Sequence, residues 1–304
     1  MAIEKSIKWI LGLLIFAAFC MFCMGRAEAA PKRIISMTPV GTEILYALGQ
    51  GENVIGVTKF CDYPPEAAQK PNLGDFAALN FEALISMKTD LLVLQDMHEQ
   101  FTPQLDDLKI PYVILKQDTI ADIYDSIAAV GRICGQDEKA AQLVADIKEE
   151  IAGIRAKTAS LPRRKTMVCV SRELSEPMIT TFYVAGKGNF YDELIDLAGG
   201  DNVWTKGRVV YPQVSLEGLI QLNPEVIIDL VGERTFYHSK DKIDLDKVFN
   251  ETYLREQWLK SARVRAVADK HIGILNGTVY LRPGPRVATI LRAFAKTIHP
   301  EASW

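Results

Sequence analysis

The sequence places a tyrosine directly before a proline in two loops. Tyr63 stands in CDYPPEA (61–67), and Tyr211 stands in VYPQVSLEGL (210–219). Proline biases the preceding residue towards extended backbone, so each tyrosine has less conformational entropy to lose when a ligand binds. We interpret both rings as ligand contacts, with local packing inside a loop as the alternative for each.

Further aromatic side chains follow predicted strands, where the loops of open α/β sheets bind ligands. These rings are Phe76, Phe182, Tyr183, Phe236, Tyr237 and Tyr280. Together they favour a large, flat, partly apolar ligand and supply little acid–base chemistry. For any one of them, packing in the core is the alternative.

Glu82 and Glu217 each stand near the start of a predicted helix, just after a loop. A carboxylate there is ordinarily explained by the helix dipole and the free N–H groups of the first turn. As a matched pair on a rigid frame, the two carboxylates would also suit a basic partner with two-fold symmetry.

The sequence lacks the residue spacings that are typical of a metal-binding or dinucleotide-binding motif. Its histidines show no His-x-x-x-His spacing, and GKGNFYDE (186–193) has Tyr191 where a dinucleotide loop requires glycine. We therefore expect neither a catalytic centre nor a built-in cofactor. The alternative is a secreted, chelatase-like enzyme that would use His98 with Glu99.

Short β-rich runs alternate with segments of helical spacing in both halves of the chain, for example RIISM, VIGVT, LLVLQ and YVILK in the first half. The alternation predicts an α/β fold with mainly parallel sheets. Apolar residues at helical spacing between Gly135 and Pro162 predict one long, stiff connecting helix. We expect two three-layer α/β lobes joined by this helix, with the ligand cleft between them.

Four segments follow from this organisation. They are a signal peptide (1–30), an N-terminal lobe (31–135), the linking helix (136–161) and a C-terminal lobe (162–304).

The two predicted lobes also resemble each other. LNFEALISMKTDLLVL (79–94) aligns without gaps with VSLEGLIQLNPEVIID (214–229), which pairs Glu82 with Glu217 and Asp90 with Glu225. A Tyr-Pro pair precedes each of these blocks, so internal duplication explains the pattern.

The first residues are typical of a secretory signal peptide, because lysines precede an apolar run that ends at Ala27-Glu28-Ala29. We expect cleavage near Ala30 and a periplasmic protein, with a retained membrane anchor as the alternative. A net charge of −3 provides no basic surface for nucleic acid. Cys61, Cys134 and Cys169 allow at most one disulfide, and pairing of the last two stays open.

Taken together, RIISMTPVGTEILYALG, VIGVTKFCDYPPEA, NLGDFAALNFEALISMKTDLLV and VVYPQVSLEGLIQLNPEVII resemble the periplasmic binding proteins of ABC importers for cobalamin, haem and ferric siderophores. The resemblance covers essentially the whole mature chain. It implies a monomer that captures a small metal chelate and delivers it to an ABC permease dimer in the inner membrane, and it implies no catalysis.

In the cobalamin branch of that family, rings that pack on the corrinoid match Tyr63, Phe76, Tyr183 and Tyr211, and the glutamates that dock on the permease match Glu82 and Glu217. The resemblance is closest to this branch, so it implies a cobalt corrinoid as ligand. That branch carries tryptophan where this chain has Phe76, Gln95 and Tyr211, and aspartate where Thr278 stands. The alternative ligand is haem or a ferric siderophore, whose carboxylates could pair with Arg208, Arg234 or Arg282.

Overall fold

The structure is a computed structural model, and it describes residues 30–75, 77–207, 209–232, 249–261 and 263–304. Several sequence predictions fall outside these ranges: most of the signal peptide, Phe76, Arg208, Arg234, Phe236 and Tyr237. Lys32–Trp304 forms one compact unit, and the predicted segment boundaries stay a prediction. Within the described ranges, no helix has an apolar stretch long enough to span a bilayer.

The N-terminal lobe contains a four-stranded sheet in the order β2-β1-β3-β4, and all of its pairings are parallel. Its strands are β1 (Ile34–Ser36), β2 (Val54–Val57), β3 (Leu91–Gln95) and β4 (Tyr112–Leu115). Its helices are α1 (Pro39–Ala47), α2 (Phe81–Ser86), α3 (Thr102–Asp107) and α4 (Ile120–Ile133). This is the parallel sheet that the alternating pattern predicts.

Helices cover both faces of this sheet. Side chains alternate along β3, so that Leu91 and Val93 pack in one hydrophobic cluster with residues of α1 and α4. Leu92 and Leu94 pack in a different cluster, with residues of α2 and α3. The lobe therefore has three layers.

The sheet of the C-terminal lobe has the order β10-β9-β5-β6-β8, with β7 paired to β5. Its strands are β5 (Arg164–Arg172), β6 (Thr181–Val184), β7 (Gly200–Asn202), β8 (Gln213–Ser215), β9 (Val226–Val231) and β10 (Ile272–Asn276). The helices of this half are α6 (Phe190–Leu197), α7 (Leu216–Leu222), α8 (Glu251–Ser261), α9 (Arg265–Ala268) and α10 (Val287–Ile298).

This second sheet is mixed: three of its pairings are parallel, as the sequence predicts, and two are antiparallel. β6 pairs antiparallel with both β5 and β8. The chain passes from β5 to β6 through residues 173–180 without a crossover helix, so β6 has to return in the opposite direction.

The long helix α5 (Asp137–Thr158) follows α4 and leads into β5, as predicted. Acidic residues stand in its first turn and basic residues in its last turn, the arrangement that the helix dipole favours. Ile147, Ile151 and Ile154 of α5 belong to one hydrophobic cluster that includes Val93 of the first sheet and Ile228 of the second. The lobes therefore share a continuous core along this helix, which makes it a rigid connection.

The internal repeat is visible in the backbone. Asn80 caps α2 by accepting from the Ala83 amide, and Ser215 caps α7 by accepting from the Gly218 amide. Both helices are followed by a residue with left-handed backbone, Lys88 (φ 49°) and Asn223 (φ 42°). The two copies thus start and end in the same way.

Candidate functional site

Tyr63 lies between β2 and α2, and its ring packs against Arg286, which is in turn held by Glu43. The Arg286 guanidinium carbon lies 3.9 Å from the centre of the Tyr63 ring. Arg286 donates from Nε to Glu43 Oε2 at 2.8 Å and also donates from its terminal nitrogen to Glu43 Oε1. Glu43 is buried in α1, whereas Tyr63 remains 43% exposed. The guanidinium therefore supports one face of the ring, and the exposed part is left for other contacts.

A second ion pair joins the same segments. Arg282 donates from both terminal nitrogens to the carboxylate of Asp62, the residue before Tyr63. The Arg282 side chain is buried, so this pair occupies one of the three arginines that the sequence offers for ligand carboxylates. Residues 282–286 of the C-terminal lobe thus hold the Tyr63 loop and α1 of the N-terminal lobe.

Tyr211 of the C-terminal lobe rests on a buried aromatic stack. Its ring is 43% exposed and contacts Tyr191 edge-on, with 6.4 Å between ring centres. Tyr191 is buried in α6, stacks on Phe294 at 6.3 Å and donates its hydroxyl to the Tyr280 carbonyl at 3.0 Å. Burial, with the Tyr211 ring as a lesser cause, raises the pKa of Tyr191, so this hydroxyl stays a donor. Tyr191 therefore positions both Tyr211 and the Tyr280 segment.

Phe182 and Tyr183 point to opposite sides of β6. Tyr183 is 43% exposed, whereas Phe182 is buried edge-on against Trp258 at 5.3 Å. Successive side chains of a strand face opposite ways, which accounts for the difference. Tyr183 remains available for a ligand, and Phe182 fills the core.

Charged residues in the segments after β3 and β4 shift the pKa values of Tyr211 and Asp96. Burial raises the pKa of Tyr211, and the charge of Asp118 raises it further. The pKa of Asp96 is raised by burial and by Asp118 and Glu99, against the opposing charge of Lys116. The negative charge of Asp118 in the N-terminal lobe therefore contributes to the electrostatic environment of Tyr211 in the C-terminal lobe.

Glu82 and Glu217 are both exposed at the surface of their lobes. Ser215 donates its hydroxyl to Glu217 at 2.8 Å, and this bond lowers the pKa of Glu217. Within the described residues neither carboxylate forms an ion pair, so both negative charges are available to a partner.

The side chains that an enzyme or metal site would use lie in structural positions. His98 is fully buried, with its Nδ1 3.1 Å from the backbone of Gln95. Cys61, Cys134 and Cys169 are buried free thiols, so no disulfide joins the last two. No cluster of metal-binding side chains occurs among the described residues.

Sequence analysis missed the residues that hold the rings. Glu43 and Arg286 are 243 positions apart, and no local pattern connects them. In the sequence, Tyr191 stands out only because it replaces the glycine of a dinucleotide loop. Its position in the first turn of an amphipathic helix that Asn189 caps could have indicated a buried ring.

Two α/β lobes on one rigid helix, with an exposed and supported ring in each lobe, define a two-lobed solute-binding protein. The chain matches the periplasmic binding protein family over residues 34–248, and it belongs to that family. This is a family of binding proteins and not of enzymes, in agreement with the sequence analysis.

Named relatives agree with this class. The chain is 28% identical over 228 residues to a vitamin B12-binding protein of Pectobacterium carotovorum, covering 74% of this chain and 78% of the relative. It is 26% identical to YvrC of Bacillus subtilis, an uncharacterised ABC transporter substrate-binding lipoprotein, covering 89% and 81% of the two chains. A crystal structure of a possible iron-binding periplasmic solute-binding protein from Staphylococcus epidermidis superposes with a TM-score of 0.68 at 26% identity, covering 88% of this chain and 98% of the other.

Proposed function

We propose that this protein captures cobalamin or a related corrinoid between its lobes and delivers it to an ABC permease in the inner membrane. The proposal rests mainly on the observation that Tyr63 and Tyr211, from opposite lobes, are each half-exposed on a rigid support. The vitamin B12-binding relative and the ABC-transporter relative support the ligand class and the permease.

Rings held in this way suit a broad, flat macrocycle. Each supported tyrosine loses little side-chain freedom on binding, and aromatic surfaces bury a large apolar area. Tyr183 and the Tyr280 segment would extend the same surface, as would Phe76. Phe182 is excluded from direct contact by its place in the core.

The charges of the described residues favour a ligand that carries amides over one that carries carboxylates. Arg282 and Arg286 are ion-paired with Asp62 and Glu43, so both guanidinium groups are already engaged by carboxylates of the protein. Haem propionates would have to compete for these two arginines, whereas the amide side chains of a corrinoid need no cationic partner.

An iron chelate is the second candidate, and the iron-binding relative of known structure supports it. Tyrosine oxygens can coordinate iron, and Tyr63, Tyr183 and Tyr211 are each 43% exposed. The ligand would then be haem or a ferric siderophore.

Equilibrium dialysis with absorption spectroscopy tests these alternatives. Purified mature protein is dialysed against cyanocobalamin, haemin or ferrichrome, and the retained spectrum is recorded. We expect retention of cyanocobalamin, reduced in Tyr63→Ala and Tyr211→Ala and unchanged in Tyr253→Ala, a half-buried tyrosine of α8. Tight retention of haemin or ferrichrome without cyanocobalamin would reject the corrinoid assignment.

For delivery, the proposed partner is a permease with two-fold symmetry that binds Glu82 and Glu217 from the periplasmic side. Both carboxylates are exposed, and neither forms an ion pair with another residue of the described ranges, which supports this role. We further propose that the protein acts as a monomer, exported by its predicted signal peptide.

A further inference from the structure

Each of the two exposed glutamates lies next to an exposed isoleucine. Ile85 follows Glu82 by three residues in α2, and Ile220 follows Glu217 by three residues in α7. Residues three apart lie on the same side of a helix, so each glutamate and its isoleucine form one surface patch. We call these the N patch (Glu82 and Ile85) and the C patch (Glu217 and Ile220).

Both isoleucines are 55% exposed, although each directly follows a buried leucine. Leu84 is 1% exposed and Leu219 is 0% exposed, and they anchor α2 and α7 to their lobes. At an exposed helix position next to a buried leucine, a surface helix ordinarily has a polar residue. The same departure in both copies of the internal repeat indicates a shared role for the two isoleucines.

The direction of the chain places the starts of both helices, and with them both patches, towards the carboxyl edges of the two sheets. α2 leads into β3 and α7 leads into β9, and each of these strands lies in a parallel part of its sheet. A helix that precedes such a strand starts at the carboxyl edge of the sheet, where ligand-binding loops gather. Tyr63 lies in the segment after β2, and Tyr211 lies in the segment before β8, so each tyrosine precedes the helix of its lobe in the chain.

We propose that the N and C patches are two copies of one docking element. In each copy the glutamate forms a salt bridge with a cation of the partner, and the isoleucine packs into an apolar depression beside it. This inference rests on the proposed delivery function and extends the contact beyond the carboxylates. The partner is a membrane permease with two equivalent subunits, each presenting a guanidinium or ammonium group next to an apolar depression. The repeat supports the two-fold partner, and the exposed negative charge of each patch supports the cation.

An apolar contact beside an ion pair has a physical advantage. The isoleucine excludes water from the salt bridge, which strengthens an interaction that is weak when exposed. Loss of one isoleucine should therefore weaken docking by about tenfold, equivalent to about 1.4 kcal/mol.

Docking can be measured without any transported ligand. Fluorescently labelled mature protein is sedimented with right-side-out membrane vesicles of the source organism, and unlabelled protein serves as competitor. The variants are Ile85→Ser and Ile220→Ser, alone and combined. The matched control is Ile133→Ser with Leu259→Ser, since these side chains are 39% and 38% exposed outside the patches.

We expect saturable binding that falls about tenfold in each single variant and further in the double variant, with the control unchanged. Circular dichroism and thermal melting check that the variants are folded. Unchanged binding of the double variant, equal loss in the control, or no saturable binding of the natural protein would overturn the proposal. Self-association of the natural protein that Ile85→Ser abolishes would also overturn it, because the patches would then bind a second copy of the chain.

A separate dialysis against cyanocobalamin distinguishes this proposal from the proposed ligand. The serine variants should retain cyanocobalamin as the natural protein does. Failure of the natural protein to bind cyanocobalamin would reject the corrinoid assignment. The vesicle experiment would still show whether the two patches form a docking element.

Discussion

Asp90 and Glu225 accept backbone hydrogen bonds at equivalent positions of the two lobes. Asp90 accepts from the backbone amides of Lys32 and Arg33 at 2.9 Å, just before β1. Glu225 accepts from the backbone amide of Lys165 at 2.8 Å, at the start of β5. Each carboxylate therefore fixes the first strand of its lobe beside the strand that follows α2 or α7. This equivalence supports the internal duplication and, with it, the pairing of the N and C patches.

Tyr211→Ala tests the exposed ring of the C-terminal lobe. We expect weaker cyanocobalamin binding by about 1–3 kcal/mol, because a stacking surface with a rigid support is lost. Tyr211→Phe keeps the ring and should bind nearly as the natural protein does. Equal affinities for all three proteins in equilibrium dialysis would show that the ring only packs locally.

Arg286→Met tests the support of Tyr63. The substitution leaves Glu43 buried without its partner, and we expect a loss of about 3–5 kcal/mol in the free energy of unfolding. Adding Glu43→Gln should recover part of this loss. Urea denaturation measures both, with Arg292→Met as control because it breaks an exposed pair with Glu150 that is worth less than about 1 kcal/mol. A cost for Arg286→Met no larger than the control would contradict the prediction.

Tyr191→Phe tests the buried stack. The ring stays in place, but the hydrogen bond to the Tyr280 carbonyl is lost, which should cost about 0.5–1.5 kcal/mol of stability. We also expect weaker cyanocobalamin binding, because the Tyr280 segment is no longer held. Thermal melting and equilibrium dialysis give the two readouts, and a loss of stability without any loss of affinity would limit Tyr191 to a structural role.

Glu82→Ala combined with Glu217→Ala tests the charged part of docking. Ligand affinity should be unchanged, whereas vesicle binding should fall and lose most of its dependence on salt. Glu138→Ala combined with Glu149→Ala removes two exposed carboxylates of α5 and serves as the control. Vesicle binding by the Glu82/Glu217 double variant that matches this control would argue against the docking role.

Alkaline pH tests the buried thiols. Burial, with a smaller contribution from Asp90, raises the pKa of Cys134 from its ordinary value of 9.0 to about 11. Between these values the unfolded chain loses the thiol proton while the folded protein keeps it, so stability should fall as the pH rises through this window. Urea denaturation at several pH values should show a shallower fall in Cys134→Ala. An identical slope in both proteins would contradict the assignment.

Local pattern predicted much of the fold. The apolar run LLVLQ coincides with β3, and the helical spacing after Gly135 corresponds to α5. The antiparallel direction of β6 was not predicted, because a period of two residues indicates a strand without indicating its direction. The same period could have separated Phe182 from Tyr183, since neighbours in a strand face opposite sides.

The supports of the site were beyond the reach of local pattern. Tyr63 and Tyr211 were identified from their neighbouring prolines, a signal within one loop. Glu43 and Arg286 come together only because the last segment of the chain returns to the first helix. Tertiary contacts of this kind have no signature in the spacing of residues in a single sequence.

The return of residues 282–286 to the N-terminal lobe has a consequence for biosynthesis. Arg282 and Arg286 are made near the end of translation, yet they form ion pairs with Asp62 and Glu43, which lie early in the sequence. The four strands of the first sheet can pair without them, but the contacts around Tyr63 are complete only when residues 282–286 are present. A chain shortened before Arg282 would therefore lack both ion pairs between the Tyr63 segment, α1 and the C-terminal lobe.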